Sequence, residues 1–210
     1  MNSEVSLVQI IIFIVALALA ISLHETSHAL VAYWLGDHTA KSQGRISLNP
    51  FNHVDPLTTL AIPLMLLLIG APPFAAAKPV PIDSTHLKFK EFGLAMVAAA
   101  GPLSNLLLAM LGAFLLKTLG LDLSSESAVF TFLLYFVQIN VGLAVFNLIP
   151  FPPLDGSRIL YLILPDSLRQ VYAGLERMGF ASIALFMFVF YPFMRDFLVR
   201  ANDFFLKLFL

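Results

Sequence analysis

Residues 5–35 read VSLVQIIIFIVALALAISLHETSHALVAYWL. No charged residue occurs from Val5 to Leu23, and the run turns apolar again after His28. At ~1.5 Å per residue, a helix over Val5 to Leu35 outruns the ~30 Å hydrocarbon core of a bilayer. The stretch therefore predicts a membrane helix that tilts or protrudes at one end, with Gly36-Asp37 as its stop. Inside it sits His24-Glu25-Thr26-Ser27-His28. Ionisable groups at bilayer depth are costly and mark function. Histidines at i and i+4 share one helix face and can grip a zinc ion, with the glutamate beside them as general base. Location and spacing together point to hydrolytic zinc chemistry inside a membrane.

The rest of the composition agrees. Of 210 residues, 59% are hydrophobic and 12% charged, against ~25% charged in a soluble domain. This reads as an all-α, multi-pass helical bundle forming a single integral-membrane domain over 1–210. A net charge of −1 gives no basis for a nucleic-acid partner. The chain has no cysteine, which excludes disulfides and thiolate metal ligands and leaves His, Asp and Glu to hold a metal. Met1-Asn2-Ser3-Glu4 lacks the basic region of a signal peptide, so the first apolar segment is expected to be retained.

A core of 5–164 is expected, followed by a helix at 175–191 and an amphipathic tail at 195–210. Within the core, further long helices run from about Glu91 to Leu119 and from about Ser127 to Leu148, with a short segment from Ser157 to Leu164. Between the first and second core helices the pattern predicts irregular structure. Gly44 to Leu48 alternates like a short strand. Thr58 to Phe74 is apolar but carries Pro63, Gly70, Pro72 and Pro73, which suits a re-entrant segment covered by protein. In the tail, Asp196, Arg200, Asp203 and Lys207 form a polar stripe, as in a helix lying at the membrane interface.

Lys and Arg concentrate in 37–57, 75–90 and 150–177, which the positive-inside rule places on the cytoplasmic side of a cell membrane. The first and third long helices then run parallel, and the HETSH end of one meets the loop after the other at the same depth. That loop reads Asn147-Leu148-Ile149-Pro150-Phe151-Pro152-Pro153-Leu154-Asp155-Gly156. Zinc hydrolases commonly use three protein ligands plus water. Candidates for the third are His38, His53, His86, Asp37, Asp55 and Asp83 in the loops, and Asp155, which follows the third long helix on the same side, in a proline-rich run with a glycine after it that permits a tight turn. A helix N-cap is its plain structural alternative. The rival ligand is Glu91, since some soluble H-E-x-x-H enzymes use a downstream glutamate. The plain reading of His24 and His28 is a polar helix-packing pair in a membrane binding or transport protein.

With these residues in view, the chain resembles the site-2 protease family of intramembrane zinc metalloproteases. The resemblance is carried by His24-Glu25-x-x-His28, by Asn147-x-x-Pro150 leading to Leu154-Asp155-Gly156, and by Gly101-Pro102-x-x-Asn105. GRISLNP (44–50) and AKPVP (77–81) look like the compact prokaryotic branch, which lacks PDZ and CBS domains. The resemblance implies one zinc per chain held by His24, His28 and Asp155, Glu25 as catalytic base, and transmembrane proteins as substrates within the lipid bilayer. Asn105, Asn140 and Asn147 are candidates for orienting the metal ligands or meeting substrate, with interhelical hydrogen bonding as the ordinary role for Asn140. Close packing and a helix kink are the ordinary role of Gly101-Pro102. Arg45, Ile46 and Ser47 are candidates for pairing with an unwound substrate as an added strand. Oligomeric state is left open.

Overall fold

The 28 residues Leu7–Trp34 form one helix, α1. Its start is fixed by a reciprocal cap: Ser6 Oγ accepts the Gln9 N–H, and Gln9 Oε1 accepts the Ser6 N–H. It ends where Gly36 takes a φ of +104°, a conformation that glycine adopts at low cost. The computed structural model describes residues 6–55, 59, 61, 77–121 and 127–210. Thr58 to Phe74, expected to re-enter the membrane, lies outside the described residues except for 59 and 61.

Helix α2 (Thr39–Ser42) and a 3-10 turn at Pro50–Asn52 lie in the first loop. Helix α3 (Lys90–Thr118) and helix α4 (Ala128–Asn147) follow. The α1, α3 and α4 helices are each long and apolar enough to cross a membrane, and no strand occurs among the described residues. The protein is an all-α membrane protein. The helices pack through small side chains, as membrane helices do. On α1 the buried residues include Ala16, Ala20, Ala29 and Ala32. Val97 of α3 packs by Ala32 and Leu35, while Leu108 packs by Ala16 and Ala20, so α3 runs antiparallel to α1. Asn105 meets Asn140, and Ala113 and Leu116 meet Leu133 and Val137, so α4 is antiparallel to α3. The expected parallel pairing of the first and third long helices follows.

Gly44 to Leu48 is not a strand. A strand needs a ladder, and this segment is instead held by side chains. The Arg45 guanidinium donates to the Lys78 and Pro79 carbonyls, and the Ser47 carbonyl accepts from Thr26 Oγ1 at 2.6 Å and pairs with His53 Nε2 at 2.7 Å. Asp37, fully buried, accepts the N–H groups of Thr39 and Asp83 and so ties this loop to the one that leads into α3.

After α4 come α5 (Asp155–Tyr161), α6 (Asp166–Arg177), α7 (Phe180–Leu185), a π-helical stretch at Phe186–Phe190 and α8 (Tyr191–Phe209). This departs from the helix expected at 175–191. The break falls at Gly179, whose φ is +55°. Pro192 does not end a helix but occupies the first turn of α8, where its missing N–H has no partner to lose. The tail, read from sequence as a helix at the membrane interface, forms α8 and packs along α4. Met194 and Leu198 join Ile149 and Leu154, while Phe205, Leu206 and Phe209 join Leu133 and Val137.

Candidate metal centre

His24 and His28 stand one turn apart on α1, both buried, with their Nε2 atoms 3.0 Å apart. The parallel run of α4 delivers α5 to the same level, and Asp155 opens α5. Its Oδ2 lies 3.3 Å from His24 Nε2 and 3.4 Å from His28 Nε2. All three donor atoms fall within 4.8 Å of one another. A tetrahedral ion bound at ~2.0–2.1 Å would set donor–donor edges of about 3.3 Å, so the triangle has the right size. Asp155 Oδ2 is buried and has no hydrogen-bond partner. An orphaned carboxylate oxygen aimed at two imidazole nitrogens is costly without a cation among them. Two nitrogens and one carboxylate oxygen, with no thiolate, are a donor set that zinc accepts.

The imidazoles are oriented from behind. His24 Nδ1 lies 2.5 Å from Asn105 Oδ1, and His28 Nδ1 lies 2.7 Å from the Val97 carbonyl. Both partners are acceptors, so each Nδ1–H donates outward and each Nε2 lone pair faces Asp155. Asn105 is itself fixed, since its Nδ2 donates to Asn140 Oδ1, and Asn140 Nδ2 donates to the Phe136 carbonyl. Both asparagines are fully buried.

Two glycines make the approach possible. A Cβ on Gly101 would stand 2.4 Å from His28 Nε2 and 2.5 Å from His24 Cε1. A Cβ on Gly156 would stand 2.2 Å from the Leu148 carbonyl oxygen. Close packing, the ordinary role expected of Gly101, is what the structure shows. What Gly101 packs against is the imidazole pair of His24 and His28, and the small-residue run Ala98-Ala99-Ala100-Gly101 is the available signal.

Glu25 follows His24 and is half-buried. Arg45 lies close enough to feel it: burial pushes the guanidinium pKa down, and the charge of Glu25 opposes that. The other candidates stand elsewhere. Glu91, the rival ligand, pairs with Arg169 at 3.1 Å near the surface. Asn147 donates to the Leu143 carbonyl of its own helix. His38 packs edge-on to Tyr33, and His86 pairs with Asp83.

The sequence profile described as Peptidase family M50 matches residues 122–190. YwhC of Bacillus subtilis (strain 168), provisionally named a zinc metalloprotease, is 37% identical over 181 residues, covering 84% of this chain and 79% of its own. Rip2 of Mycolicibacterium smegmatis, named in the same way, is 28% identical over 180 residues, covering 84% and 67%. Rip2 of Mycobacterium tuberculosis (strain H37Rv) is 26% identical over 185 residues, covering 86% and 68%. No solved structure matches significantly. The buried donor triangle, the membrane helices that carry it and these relatives agree: the chain belongs to peptidase family M50, the site-2 proteases, and is a zinc metalloprotease.

Proposed function

We propose that the protein is an intramembrane endopeptidase that hydrolyses peptide bonds in or near transmembrane helices of its substrates, with His24, His28 and Asp155 as zinc ligands and Glu25 as general base. The observation that carries this reading is the orphaned Asp155 Oδ2 held 3.3 and 3.4 Å from the two Nε2 atoms. When bound, zinc supplies a Lewis acid that acidifies a water and polarises a carbonyl. Glu25 takes a proton from the water as its oxygen bonds to the carbonyl carbon. It returns the proton to the amide nitrogen as the C–N bond breaks. Asn105 and the Val97 carbonyl keep the imidazoles turned for their task throughout.

A helical substrate hides its carbonyls in its own hydrogen bonds and must unwind before attack. The segment 45–47 is our candidate for receiving the unwound stretch. Its Ser47 carbonyl is turned toward α1 by Thr26, and the Ile46 peptide has no partner among the described residues. Ile46→Pro is expected to slow cleavage while leaving zinc content unchanged; unaltered cleavage would remove the segment from the mechanism. The Lys and Arg distribution supports a cell-membrane location with the site toward the cytoplasm.

The reading is tested with purified protein in lipid vesicles containing a transmembrane peptide. Wild type should cleave it. Glu25→Gln should keep its zinc and lose most of the rate, by about 10²-fold or more. Equal cleavage by the two proteins would refute the role of Glu25.

A further inference from the structure

Helix α6 turns an apolar face outward at the level where the membrane helices end. At ~100° per residue, Leu168, Val171, Leu175 and Met178 fall within a sector of about 80°. Asp166, Gln170 and Arg177 fall within about 40° of one another on the far side, and Arg169, Tyr172 and Glu176 form a third face between the two. The third face meets the protein. Arg169 pairs with Glu91 and donates to the Leu162 and Leu164 carbonyls, the Tyr172 hydroxyl donates to the Pro150 carbonyl at 2.7 Å, and Glu176 pairs with Arg158. Asp166, Gln170 and Arg177 are exposed, as a polar face in water is. Leu168, Val171 and Met178 are exposed as well, Leu175 is half-buried, and none of the four joins a buried cluster among the described residues. Water is a poor solvent for such a face.

The anchors of α6 fix its depth, and the depth fixes what covers that face. Glu91 is the second residue of α3, and Pro150 lies three residues past the end of α4. Both helices are long and apolar enough to cross a membrane, and they run antiparallel, so the start of one and the end of the other mark the same edge of the bilayer. At the far end of α6 the chain turns at Gly179 and returns to the bundle at Phe186, which packs with Ile149 and Leu154. The helix is thus held at both ends along the boundary between acyl chains and water. A helix lying flat there against a membrane protein meets protein, lipid and water at once, and α6 has one face for each. We propose that α6 rests in the membrane interface with Leu168, Val171 and Met178 in lipid, and that it moors to the bilayer the helix that Asp155 opens. Its bonds grip α5 before its start at Pro150, along its length at Arg158 and past its end at Leu162 and Leu164. The water-facing sector balances Asp166 against Arg177, so a zwitterionic lipid suffices and an anionic one has no special hold. A protein partner is not needed to cover the apolar face, because lipid is the solvent at that depth.

Because the chain has no cysteine, single-cysteine variants report the surroundings of one position each. Leu168→Cys and Val171→Cys are compared with Gln170→Cys and Arg177→Cys, each carrying a fluorophore on the full chain in phosphatidylcholine vesicles. Labels at 168 and 171 should be quenched by a nitroxide lipid that probes just below the headgroups, and several-fold less by iodide in the water. Labels at 170 and 177 should show the reverse. Leu107→Cys, on the exposed face of α3, marks the response of a label wholly in lipid. Far-UV circular dichroism identifies a variant that has not folded, and Met178→Cys, at the end of the same face, then takes its place. Labels at 168 and 171 open to iodide would show the face bathed by water. Labels there screened from both quenchers would show a second copy or another protein upon it. Either result overturns the proposal. The readout involves no cleavage, so its outcome is separate from that of the Glu25 test.

Discussion

Asn105 reaches His24 with Oδ1 and Asn140 with Nδ2, which makes it the joint between the imidazole and the bundle. Asn105→Ala should weaken zinc binding by about 10- to 100-fold, read by competition with a chelator. Asn105→Asp keeps an oxygen acceptor toward His24 and should fall less. If both variants bind zinc as wild type does, the residue only packs. Gly101→Ala places a methyl within 2.4 Å of His28 Nε2. It should cost about 1–3 kcal/mol of stability and lower the zinc content, while Gly174→Ala, where nothing lies within 4 Å, should do neither. At this scale the nearness of the two candidate histidines is legible in sequence, because i,i+4 spacing on a helix fixes which side chains share a face. The His24–Asn105–Asn140 chain was visible only as three polar residues at depth. Which of them touch depends on the rotation of α3 and α4, and that no local pattern records. Asn147 shows the limit: eight residues before Asp155 in sequence, it closes on its own helix.

The loops that follow α1 show what an element owes to long-range ties. Asp37 joins the turn after α1 to the loop before α3 through two N–H groups. Burial alone would raise its pKa, but the hydrogen bonds from Thr39 and Asp83 outweigh it and hold the carboxyl below its usual range. A carboxylate with a depressed folded pKa contributes stability that is present above the unfolded value of ~4 and lost as pH falls through the folded one. Asp37→Asn should therefore lower Tm at pH 7, and the gap from wild type should narrow as pH drops below about 4. A gap independent of pH would assign the tie to shape alone. The strand expected at Gly44 to Leu48 failed for a related reason. Alternation marks a two-sided segment, but only a partner makes it a strand, and here Arg45 turns inward to the Lys78 and Pro79 carbonyls. Helix α6 was legible and went unassigned: its apolar positions Leu168, Val171, Tyr172 and Leu175 recur at helical spacing among the charges. Its ties to Pro150 through Tyr172 and to Glu91 through Arg169 place it beside the loop that carries Asp155.

At the scale of the molecule, one topological fact makes the site. The α1 and α4 helices run parallel because α3 returns between them, so a motif near the end of the first and a turn after the third reach one depth. Charge and hydropathy along the chain carry that information, which is why the order and direction of the long helices could be read from sequence. The path of α8 could not, since its composition suits a surface helix and only its packing on α4 shows otherwise. The central claim is that His24, His28 and Asp155 hold the metal. Zinc-edge X-ray absorption on the purified protein tests it most directly. Wild type should show about one zinc bound by two imidazoles and oxygen donors at ~2.0–2.2 Å, and Asp155→Ala should lose the zinc or one of its oxygens, while Glu91→Ala should match wild type. An unchanged spectrum in Asp155→Ala would contradict the account.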